Sequence, residues 1–170
     1  MEPATQHSYD LLRDGLSEAQ ATVRSYDTKA QIVGVGYIFA LGIVGQMYDA
    51  LGGSKQLGIL EVMIAWGIVI LPILLFGFVL YPTRKTAPSL SGESKVDLQH
   101  VLYVEPGRHA SVQGLVRAAS QADAMRELAF ELLKVSKLRE LKRQRFLRAL
   151  FASGVAFLVL FAAQFFKAAT

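Results

Sequence analysis

"RSYDTKAQIVGVGYIFALGIVGQMY", residues 24–48, decides the fold. Arg24, Asp27 and Lys29 crowd about one turn, and the nineteen residues from Ala30 to Tyr48 then carry no group charged at pH 7. As a helix that run covers roughly 28 Å, close to the hydrocarbon thickness of a bilayer. Two further uncharged runs follow: Val62 to Tyr81, 20 residues, and Ala149 to Phe166, 18 residues, closed by Lys167. The first run starts too deep in the chain, and is too long, to be a secretory signal. The sequence therefore predicts three membrane spans.

Composition agrees. The chain has 170 residues, 52% of them hydrophobic and 19% charged. One small globule with that balance would leave much apolar surface in water, and a bilayer removes the difficulty. With no cysteine, disulfides and thiolate metal sites are excluded. Tyr26 and Tyr48 bracket the first run and Tyr81 ends the second, as a belt of rings at the headgroup layer would.

Basic residues set the orientation. One base, Lys55, lies between the first two runs, thirteen lie between the second and third, and three precede the first. This puts the N-terminus and the long third segment in the cytoplasm and the C-terminus outside. The expected organisation is a cytoplasmic amphipathic arm (1–29), transmembrane helix 1 (30–48), an outer hairpin (49–61) and transmembrane helix 2 (62–81). A cytoplasmic loop (82–110), a cytoplasmic helix (111–148) and transmembrane helix 3 (149–167) follow. The fold class is all-α membrane protein, with the long cytoplasmic helix continuous with the third span. The net charge of +4 belongs to the inner leaflet, and no nucleic-acid-binding module is present.

Within the spans, Ala30 with Gly34 and Gly36 with Ala40 are small-xxx-small pairs, with Gly42 and Gly45 beyond. Such residues let helices approach closely, either within the chain or between copies. Gln31, Gln46 and Gln164 lie near span ends and are expected to snorkel to the interface. Pro72 is expected to kink the second span. The spans show no buried ion relay, which argues against a pump or ion-coupled transporter.

In the cytoplasmic segment, residues 96–104 ("VDLQHVLYV") alternate as a short strand would. From Ser111, a plausible N-cap, Leu115, Ala118, Ala122, Met125, Ala129 and Leu132 keep three-four spacing without a breaker, predicting one helix that runs into the third span. A lone helix of that length is expected to pack on the arm or on copies of itself. Lys137, Lys142, Arg143, Arg145 and Arg148 form a basic run before the span, read either as a phosphate or anionic-lipid contact or as a solvated anchor. His7, His100 and His109 have no metal-ligand spacing, and no catalytic constellation is evident.

Four stretches in order resemble the Pycsar effector transmembrane family (PycTM-like) of bacterial anti-phage systems. They are "RSYDTKAQIVGVG", "VLYP", "LVRAASQADAMRELAFELLKVSKLRELK" and "RFLRALFASGVAFLVL", which together cover most of the chain after residue 23. The resemblance implies a bacterial inner-membrane protein that answers a cyclic pyrimidine nucleotide, cUMP or cCMP, made by a partner cyclase. Its homo-oligomer would impair the membrane and abort infection. Arg24, Asp27 and Lys29 would be the membrane-mouth motif, with Lys137 and Lys142 as pre-membrane basic positions. Nucleotide phosphate would bind among Arg84, Lys85, Arg108, His109 and Arg117. No cofactor beyond that ligand, and no catalysis, is implied. The alternatives are a membrane scaffold holding a soluble partner and, more weakly, a lipid-acting enzyme.

Overall fold

The computed structural model describes residues 3–50, 59–81, 98–102 and 111–168. Four helices account for nearly all of them: α1 (Pro3–Ala50), α2 (Ile59–Leu80), α3 (Val112–Gln121) and α4 (Ala124–Ala168). Stretches of α1, α2 and α4 are long and apolar enough to cross a membrane. Among the described residues the protein is thus helical without strands, with three helices that could span a membrane. The arm and first span form a single helix, because no breaker interrupts residues 3–50.

The chain divides into two compact units, Met1–Arg24 with Thr83–Glu140, and Ser25–Pro82 with Leu141–Thr170. In the first unit, Ala19, Ala118 and Leu128 are buried. Gly15 faces Leu132 so closely that an added Cβ would lie 3.5 Å from its Cδ2. The arm and α4 thus approach closely at Gly15 and Leu132.

Two expectations for this unit need correction. The single helix from Ser111 is divided: α3 ends at Gln121, and Ala122 turns extended, with φ −74° and ψ 137°. Asp123 then caps a new helix, its Oδ1 accepting from the N–H of Met125 at 3.0 Å and of Arg126 at 3.4 Å. Apolar spacing runs straight across the break, so periodicity hides it, while the short carboxylate marks it. Residues 98–102 also form no strand; they are irregular, with His100 at φ 53°. The Ser111 cap does form, its hydroxyl accepting from Gly114 N–H at 3.1 Å.

In the second unit three helices share one interior. Ala30, Phe76, Val79 and Ala149 form its buried cluster, with Val33, Leu75 and Phe146 packed against them. Lys142, Ala149 and Ala156 recur every seven residues on the buried side of α4, as Ala30 and Tyr37 do on α1. That spacing is the seam of near-parallel helix packing. Lipid is as apolar as these side chains, so close fit rather than water exclusion holds the helices together. Gly34 supplies such fit, since a Cβ there would sit 3.4 Å from Phe76 Cβ. Gly36 and Gly42 meet nothing within 4 Å, and Ala40 is half-buried.

Several polar groups at span depth find partners. Pro72 is fully buried and α2 continues through it. The Tyr37 hydroxyl reaches the Val69 carbonyl at 3.5 Å, beside the carbonyl of Ile68 that the proline leaves without its helical donor. Gln164 was expected to snorkel; instead its Nε2 donates to the Val44 carbonyl at 3.1 Å, tying α4 to α1.

Candidate functional site at the Asp27–Lys142 pair

Charge is sparse inside the second unit, and where it occurs it is paired. Lys142 Nζ donates to Asp27 Oδ1, joining α4 to α1. The Lys142 side chain is 7% exposed and that of Asp27 34%, so the lysine is the committed partner. A buried ammonium without a counter-ion is expensive, whereas one facing a carboxylate is held in register.

The helices explain the placement. Asp27 precedes Ala30 by one turn on α1, and Lys142 precedes Phe146 by one turn on α4. Both neighbours belong to the apolar cluster or pack against it. Aromatic rings cover the same level: Tyr26 lies 6.0 Å from Phe146, which lies 6.4 Å from Phe76. Lys29 Nζ stands 5.7 Å from the Tyr26 ring centroid, on the exposed side. The run of mixed charge at the start of the first span thus separates by function. Asp27 turns inward to a partner, while Arg24 and Lys29 face outward.

The basic run before the third span separates likewise. Lys137, Arg143 and Arg148 are exposed. Arg145 is not a simple anchor. Its guanidinium carbon lies 4.1 Å from the Phe78 ring centroid, and Nη1 donates to the Phe78 carbonyl at 3.4 Å. That carbonyl belongs to the last turn of α2, which has no base of its own, so α4 supplies both hydrogen bond and positive charge at this helix end.

Of the expected phosphate ligands, Arg84, Lys85, Arg108 and His109 lie outside the described residues; Arg117 is exposed on α3. An apolar groove of about 430 Å³ lined by Val44, Gly154, Phe157, Leu158, Phe161 and Gln164 offers one polar side chain. It suits an acyl chain, not a phosphate. Among the described residues no group of three or more His, Cys, Asp or Glu is placed to hold a metal ion.

Sequence reasoning missed Glu127, a buried carboxylate in the first turns of α4. Its signal was an acid inside an apolar stripe, next to the buried Leu128.

Three helices long and apolar enough to cross a membrane, two of them joined by a buried ion pair, define the class of a membrane protein. The particular family follows from comparison. The Pycsar effector protein domain, PycTM, matches residues 11–168, and the chain belongs to that family. Its role is that of a membrane effector in anti-phage defence. No curated protein and no solved structure matches it.

Proposed function

We propose that the protein is a bacterial inner-membrane effector that answers a cyclic pyrimidine nucleotide, cUMP or cCMP, and breaches the membrane as an oligomer. The N-terminus lies in the cytoplasm and the C-terminus outside, on the strength of the thirteen bases between the second and third spans against one between the first two.

The observation that carries the reading is the closed interior of the three spans. Ala30, Phe76, Val79 and Ala149 fill it, each 3% exposed or less. Among the described residues one chain therefore offers ions no polar path, and damage requires several copies or a distorted bilayer. Gly36 and Gly42, which meet nothing within 4 Å, leave α1 a close-approach surface for another copy. The Asp27–Lys142 pair is where motion of α4 would reach the first span.

The test is dye release from liposomes carrying the purified protein, with cUMP, cCMP or cAMP added. Release with a pyrimidine nucleotide alone is expected. Equal release with all three, or none with any, contradicts the proposal.

A scaffold role is the second reading, favoured by α3. Its apolar face buries Ala118 but leaves Val112 80% and Val116 64% exposed. It predicts tight co-purification of a soluble partner and no leakage.

A further inference from the structure

Glu127 is a buried charge that the effector reading leaves without a task. It is 2% exposed. Its Oε1 accepts the backbone N–H of Gln99 at 2.6 Å and of His100 at 2.9 Å, and Oε2 accepts that of Val101 at 3.2 Å. Three successive backbone N–H groups aimed at one anion make a nest, in which a left-handed residue turns neighbouring amides to the same side. His100, at φ 53°, is that residue. A residue with a side chain adopts this conformation only when its surroundings hold it there.

The carboxylate supplies the acceptors for the three amides. Among the described residues Glu127 has no ion pair with a lysine or arginine; the nearby Lys134 pairs with Glu131 at 3.4 Å. Backbone dipoles alone meet its charge. The His100 ring adds an edge-on contact with Phe130, centroids 5.2 Å apart, but that contact supplies no acceptor for the amides. Residues 99–101, so shaped, therefore present three convergent N–H groups to an anion. A phosphate presents the same charge sign and two acceptor oxygens on one centre, so it meets the same requirement.

We propose that backbone residues 99–101 form an anion-binding cradle whose resident anion is the Glu127 carboxylate, and that a phosphate-bearing ligand binds by displacing it. A free phosphate ester and a phospholipid headgroup share this chemistry. For a cyclic nucleotide as ligand, the inference rests on the function proposed above; the cradle itself does not. Exchange would keep all three N–H groups satisfied while releasing α4 from residues 98–102, which turns ligand binding into movement at the stem of the third span.

The test is hydrogen exchange at the amides of Gln99, His100 and Val101 in the full-length protein in detergent, wild type against Glu127→Gln. The neutral variant is expected to exchange about tenfold faster or more at these amides, the scale of losing a hydrogen bond to a charged acceptor. Inorganic phosphate, cUMP or vesicles containing phosphatidylglycerol should then restore the slow exchange, and the probe that succeeds at lowest concentration identifies the source. Glu127→Asp, which keeps the charge on a shorter arm, provides a second variant and should be intermediate. Unchanged exchange in Glu127→Gln would overturn the proposal, as would accelerated exchange that none of the three probes slows. The two readings separate: rescue without nucleotide-triggered leakage keeps the cradle and removes the nucleotide response, and leakage without rescue does the reverse.

Discussion

Lys142 and Glu127 are both buried on α4, and they are satisfied in opposite ways. Lys142 faces a side chain of opposite charge, Asp27, across two packed helices. Glu127 faces no cation among the described residues and takes three backbone N–H groups instead. The first arrangement fixes which helix faces which and at what height. The second fixes the shape of an irregular segment, because backbone N–H groups converge only when the chain is bent to aim them. A buried charge can thus specify helix register or backbone conformation, depending on what answers it.

The largest effect is expected at the backbone-satisfied charge. Glu127→Ala strands three N–H groups around a hole and should lower stability by about 3 kcal/mol, read from the denaturant midpoint in micelles. Water reaching residues 98–102 sets the lower bound. A loss below about 1 kcal/mol would mean that the segment is held by other contacts.

Next comes the ion pair. Asp27→Ala leaves Lys142 buried and unpaired, and should cost about 2 kcal/mol, moderated because Asp27 is one-third exposed and partly screened. Membrane insertion should be unchanged, while assembly or toxicity changes. Adding Lys142→Met should recover most of the stability, since the double change removes the uncompensated charge. If the two losses simply add in a double-mutant cycle, the pair is not coupled.

The smallest effect separates the two faces of α1. Gly34→Leu pushes a side chain into Phe76 and should destabilise by about 1 kcal/mol. Gly36→Leu meets open space and should leave monomer stability within about 0.5 kcal/mol while weakening self-association in crosslinking. Equal stability losses at both positions would contradict the assignment of faces.

How much of this could be read in the sequence follows the same division. The spans were legible because charge stops abruptly at Ala30 and resumes at Asp49. Asp27 and Lys142 were both legible as residues at a membrane mouth, since charge beside a long apolar run has few reasons to be there. Their pairing was not, because it depends on two helices far apart in the chain meeting at one height. The split after Gln121 stayed hidden because Leu115, Ala118, Ala122 and Met125 keep three-four spacing across it; Asp123 was the only mark. Glu127 was the least legible. Its partners are backbone amides, which every residue but proline carries, so no composition or spacing announces them. Residues 98–102 looked like a strand for the same reason: alternation registers side chains, whereas the fold there is set by amides turned towards a carboxylate.

The most direct test of the account is nucleotide-triggered dye release from liposomes carrying Asp27→Lys, Lys142→Glu, or both changes together. If the pair transmits α4 motion to the first span, each single change places like charges together and should abolish triggered release, and the reciprocal change should restore it. Release at the wild-type level from both single variants would contradict the account, leaving the pair as a flank of the membrane rather than part of its response.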